Sequence, residues 1–176
     1  EHGKAMSLVL VLDALGLADR PTPTPAELRR RSVDRLVRAW GEDRGHVDVV
    51  ARIARRLFDD TAELHGLGVP ERELLEHAAR LHEIGGRISP ARLHKHGAYL
   101  VENAGLRGFT PDEIATIASV VRFHRGKDPR PVYPPFAALS DAERETVVLL
   151  VGVLRIAHAI GRGPEGDRLE IATDRR

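Results

Sequence analysis

Three short stretches of this chain share one grammar: Thr24-Pro25-Ala26-Glu27, Thr110-Pro111-Asp112-Glu113 and Ser140-Asp141-Ala142-Glu143. In each, a hydroxyl residue stands three positions before a glutamate. The hydroxyl can accept from the backbone N–H of the glutamate, and the carboxylate can reach back to the N–H of the hydroxyl residue, which opens an α-helix. Two of the three add proline at the first helical position, where its missing N–H costs nothing. Glycines supply the matching stops at Gly16, Gly41, Gly85-Gly86 and Gly161. The punctuation predicts about seven helices: a first over 4–17, then about 25–40, 45–64, 70–84, 93–103, 111–124 and 141–161. "RPTPTP" reads as a linker and "RGKDPRPVYPPF" as a proline-rich loop. One short strand, Leu169 to Ala172, fits the tail. The predicted layout is an N-terminal helix and linker over 1–24, a helical domain over 25–162 and a tail over 163–176.

Composition agrees with an all-α fold. Hydrophobic residues make up 42% of the 176, enough for a core, but aromatics are only 4%. The core must then be built from Leu, Val, Ile and Ala, which suits packed helices better than a sandwich. Basic and acidic residues balance at 27 and 26, so overall charge predicts neither a nucleic-acid nor a membrane partner. "RRRSVDRLVR" and "ARIARR" are basic, but acids intersperse them and no aromatic stacking platform accompanies them. The apolar stretch 7–17 is too short to span a bilayer and carries Asp13. Cysteine is absent, which fits a cytoplasmic protein and leaves histidine and carboxylate as the means of holding a metal.

Histidine placement is the most informative chemical signal. His46 is followed at helical spacing by Val50, Ile53 and Leu57; His82 is preceded by Ala78 and Leu75. His96 precedes Tyr99 and Leu100, His124 follows Val120 and Ile117, and His158 follows Leu154 and Val151. Five histidines thus lie on the apolar faces of five different helices. One such imidazole is ordinarily a hydrogen-bonded core residue. Five together point to a shared metal, because unpaired buried polar groups cost about 1–3 kcal/mol each and neutral imidazole is a common ligand. His77, beside Glu76, reads as solvent-facing. His65 and His2 read as structural or surface residues, and His94 as support for a loop.

Segments in order over about 30–162 resemble the HD-type helical domain of the exopolyphosphatase and guanosine pentaphosphate phosphatase family. They are "RRRSVDRLVRAWGEDRGHVDVVARIARRLFDDT", "LLEHAARLHEIGGRIS", "LHKHGAYLVENAGLRGFTPDEIATIASVVRFHRG" and "VLLVGVLRIAHAIGRG". The resemblance implies an HD-like bundle and a metal site at His46, His82, Glu83, His96, His124 and His158. Two positions depart from the HD pattern: glutamate at 83 and histidine at 158 stand where that superfamily places aspartates. An imidazole-rich set suits Zn, Fe, Ni, Co or Mn better than Mg, and a degenerate site holding no metal is the other expectation. Glu83 is the candidate acid–base group.

The same resemblance implies that hydrolysis belongs to an N-terminal actin-like phosphatase domain, whose glycine-rich loops this chain lacks. The helical domain would then shape a substrate channel or a homodimer. Arg87, Lys95, Arg122 and Arg125 are the candidate phosphate-binding residues, for polyphosphate or a phosphorylated nucleotide. Two alternatives stand beside this reading: an active metal-dependent HD phosphohydrolase, and a helical module that binds nucleic acid or protein.

Overall fold

A computed structural model describes residues 23–41 and 44–163. The expected first helix and the expected strand at Leu169–Ala172 lie outside the described residues. Among those described, the chain is all-α. Its helices are α1 (Pro25–Trp40), α2 (Arg44–Asp60), α3 (Ala62–His65), α4 (Val69–Leu81), α5 (Leu93–Asn103), α6 (Pro111–Phe123), α7 (Pro134–Ala138) and α8 (Asp141–Gly161), with a 3₁₀ turn at Ile84–Arg87.

The three capping boxes form as spelled. Thr24, Thr110 and Ser140 each accept from the glutamate N–H three residues on, and each glutamate side chain returns to the cap's own N–H at 2.8 Å. The expected helix over 45–64 breaks at Thr61, whose Oγ1 donates to Leu57 O at 2.7 Å. A hydroxyl bonded back into the preceding turn competes with the helix ladder, so α2 stops at Asp60 and α3 adds one turn. Within the expected proline-rich loop, Pro134 and Pro135 occupy the first positions of α7 instead of breaking it.

Helices α4 and α6 form the middle of the bundle. α4 packs against α1, α2, α6 and α8; α6 packs against α4, α5, α7 and α8. Their buried side chains, including Leu75, Ala78, Leu81, Ile117, Val120 and Val121, are fully enclosed. Each such Leu, Ile or Val contributes on the order of 1.5–3 kcal/mol by leaving water. Enclosure on several sides also corrects one expectation: His77 is buried, 6% exposed, rather than solvent-facing. Its ring stands edge-on to Phe109, with centroids 5.1 Å apart.

This arrangement brings helix ends together. His82 and His124 are the residues that immediately follow α4 and α6, His158 sits in the last turn of α8, and His46 in the first turn of α2. Three C-terminal helix ends, the negative ends of their dipoles, therefore meet the N-terminal end of α2 at one place.

Candidate functional site

At that meeting point, one donor atom each from His46, His82, Glu83 and His158 lies within 4.8 Å of all the others. Oε1 of Glu83 is the hub. It lies 3.4 Å from Nε2 of His158, 3.9 Å from Nε2 of His82 and 4.0 Å from Nε2 of His46. Ligands around a tetrahedral transition metal, with bonds of about 2.1 Å, are separated by about 3.4 Å. Small side-chain movements would convert the present set into a coordination shell.

His82 is oriented for that use, and the neighbouring His124 is held in the same way. Nδ1 of His82 donates to Ala79 O and Nδ1 of His124 donates to Val121 O, both at 2.6 Å, each three residues back in its own helix. With the proton fixed on Nδ1, Nε2 carries the lone pair, as a metal-bound histidine requires. No hydrogen bond reaches Nε2 of either residue, although both atoms are buried. Three imidazoles and a carboxylate, with orphaned buried nitrogens, fit a divalent transition metal bound through N and O. Such a set fits Mg²⁺ poorly.

His124 flanks this set. Its ring centroid lies 5.2 Å from that of His82 and 5.6 Å from that of His158, but its donor atoms are not among the four that converge. His96 also lies outside the convergent group. The stripe of α5 that packs inward is Gly97, Ala98 and Val101, whereas Tyr99, four residues before Asn103, is 63% exposed. His94, about 200° around the helix from His96, is the α5 histidine that approaches the cluster, its ring 6.5 Å from that of His124.

A cavity of about 480 Å³ adjoins the cluster. Its cations are Arg92, Lys95, Arg122, Arg125, Lys127 and Arg130, with His94 on its wall. Lys95, Arg122 and Arg125, three of the four expected phosphate-binding residues, therefore share one cavity. Arg87 is elsewhere, donating to Ala39 O at 3.2 Å. The guanidinium of Arg122 stacks over the Tyr133 ring at 4.4 Å, and Tyr133 donates its hydroxyl proton to Glu102. Sequence reasoning missed Arg155. It reaches from α8 to the carbonyls of Phe123, Gly126 and Lys127 and to Asp128 at 2.8–3.2 Å, and so fixes the loop that carries Arg125 and Lys127. Lys95, Arg122 and Arg125 were expected to bind phosphate, but nothing in "RFHRGKDPR" (122–130) or in α8 singled out Arg155.

Arg125 belongs to both features. Its Nη2 lies 3.4 Å from Oε1 of Glu83 and 3.3 Å from Nε2 of His158. Nε2 of His158 can serve one neighbour at a time: bare, it accepts from Arg125; protonated, it donates to Glu83. The hydrogen bond with His158 holds the Glu83 carboxyl at about 2, against the opposing effect of burial, so Glu83 is an anion at neutral pH.

Burial acts on the imidazoles in the other direction. It pushes His82 from its ordinary 6.5 down to about 4, and it also lowers His77 and His124. Unfolded, each would take up a proton near 6.5; folded, each does so only at lower pH. The folded state therefore binds fewer protons, and stability should be full above about 6.5 and fall as pH drops toward 4. Metal-free protein is expected to lose thermal stability steadily between pH 7 and pH 5, with a shallower slope in His77→Gln. A melting temperature that stays flat over that range would contradict the assignment of these histidines as buried and neutral.

No helix among the described residues is long and apolar enough to cross a membrane. A family model described as Ppx/GppA phosphatase, domain III, matches residues 28–173, which covers every helix of the structure except the first turn of α1 and continues past α8.

Proposed function

The chain belongs to the Ppx/GppA phosphatase family through that family's domain III, and from this premise we propose that its helices form a polyanion-binding domain in which a chain of phosphates lies in the basic cavity beside a His-rich metal site. The observation that carries this reading is the continuity of the two features through Arg125. Six cations around about 480 Å³ far exceed what the single carboxylate on the cavity wall, Asp128, can neutralise, and Asp128 is already paired with Arg155. Arginine and lysine are natural phosphate partners, arginine through paired N–H donors and lysine as a point charge. Polyphosphate and a phosphorylated nucleotide share this chemistry.

His46, His82, Glu83 and His158 would hold the metal. Bound there, it would supply a Lewis acid and a water of lowered pKa. The chain's own residues do the rest: the cavity cations orient the phosphates, and the Nδ1–H bonds of His82 and His124 fix the imidazoles. On this reading hydrolysis falls to an actin-like partner domain. One observation favours a second reading, an HD phosphohydrolase in its own right: a carboxylate, Glu83, stands at the centre of the convergent histidine set.

Calorimetric titration with pyrophosphate and with a longer linear polyphosphate tests the proposal. Charge reversal at Arg122, together with Lys95→Glu, should weaken binding by at least about tenfold, since a charged hydrogen bond contributes about 1.5–3 kcal/mol. Arg87→Glu should change it little. Equal losses in both variants would remove the cavity as the binding site. Release of phosphate by metal-loaded protein, abolished in Glu83→Gln, would favour the second reading.

A further inference from the structure

We propose that Arg125 and a divalent metal compete for the same two atoms, Oε1 of Glu83 and Nε2 of His158, so that metal and phosphate bind the domain cooperatively. This rests on the proposed function and adds a regulatory link between its two halves. The geometry is specific. The guanidinium is always charged, and it stands 3.4 Å and 3.3 Å from two of the four atoms that would coordinate an ion. It thereby partly neutralises Glu83 in the way that an ion would. A metal that takes those atoms must displace the guanidinium, both by occupying its acceptors and by charge repulsion.

The displaced side chain has a place to go. Arg125 already lines the basic cavity with Lys95, Arg122 and Lys127, so one side chain borders both the cavity and the metal site. Its backbone need not move, because Arg155 clamps the carbonyls on either side, at Phe123 and Gly126. A phosphate in the cavity gives the freed guanidinium a new acceptor. Phosphate therefore removes the competitor from the metal site, and metal releases a ligand to the phosphate site. Thermodynamic linkage requires the two effects to be equal in size.

The test uses Arg125→Met, which keeps the apolar stem without the charge. Zn²⁺ and pyrophosphate binding are measured by calorimetry, separately and together, with Co²⁺ absorption as an independent report on the metal's ligands. In the wild-type protein, Zn²⁺ at saturation should tighten pyrophosphate binding about tenfold, within the 5–150-fold range typical of coupled sites. In Arg125→Met, Zn²⁺ alone should bind more tightly than in the wild type, pyrophosphate alone more weakly, and the enhancement should shrink to near onefold. Tighter metal binding after a charge is removed from the site's edge is an outcome that a merely structural Arg125 would not give.

Unchanged or weaker Zn²⁺ affinity in the variant would overturn the competition. So would an enhancement that survives in full, since direct metal–phosphate contact would then account for it. A wild-type protein that binds neither Zn²⁺ nor pyrophosphate would overturn the proposed function as well, whereas binding of both without coupling overturns this inference alone.

Discussion

Gly85→Ala is expected to be among the most destabilising single-methyl changes in this protein, by about 3 kcal/mol or more. A Cβ at Gly85 would stand 2.0 Å from Leu93 O and 2.4 Å from Gly97 N. Both are backbone atoms of α5 or its first residue, so neither can rotate away. Overpacking against side chains costs about 1–3 kcal/mol, and rigid backbone puts this case at or beyond the upper end. At about 2–4 °C per kcal/mol for a chain of this size, the melting temperature should drop by roughly 10 °C. Gly97→Ala faces the same contact from the other side but meets chiefly Val121 Cγ1, at 3.1 Å, and should cost less. The glycine matters to the site too. It lets the 3₁₀ turn press onto α5, and that turn begins one residue after Glu83. Thermal denaturation followed by circular dichroism decides the matter; a fall of less than about 2 °C would mean that the close approach is not native.

Helix boundaries were legible where local chemistry sets them. Thr24, Thr110 and Ser140 fold as caps because every atom of that motif lies within four residues. Convergence of His46, His82, Glu83 and His158 was legible for a related reason: each histidine shares a face with large aliphatic residues that must point inward. His96, expected on the same logic, is not among those four. The fully buried face of α5 is Gly97, Ala98 and Val101, residues too small to mark a stripe; Leu100 packs against the core only in part, and Tyr99 is exposed. His77 was misread because α4 is covered by four helices, and no single amphipathic stripe describes a helix enclosed on several sides. The cavity is non-local: α5, the loop after α6 and the residues before α7 each supply part of it, and Arg155 reaches it from α8. No spacing rule along the chain joins those segments.

His82→Ala should remove the metal site, with an affinity loss exceeding the roughly 10–100-fold typical of deleting a mere outer-shell partner. His82 is fully enclosed, its Nδ1 proton is committed to Ala79 O at 2.6 Å, and its Nε2 has no hydrogen-bond partner. A buried nitrogen with a lone pair and no donor costs free energy in the fold, and a metal would offset that cost while leaving the Nδ1 bond intact. The variant leaves Ala79 O without that donor and opens a small void, so a stability loss on the order of 1–3 kcal/mol should accompany the loss of metal. Metal content must therefore be measured below the variant's melting temperature, by equilibrium dialysis against Zn²⁺ or Co²⁺ followed by elemental analysis. His96→Ala is the matched control, since it removes an imidazole outside the convergent four and should keep the metal; His124→Ala, one ring further from the hub, should fall between. If His96→Ala lost metal and His82→Ala retained it, the site would be built on α5 rather than on the joined ends of α4 and α8. The three imidazoles around Glu83 would then be a hydrogen-bonded core.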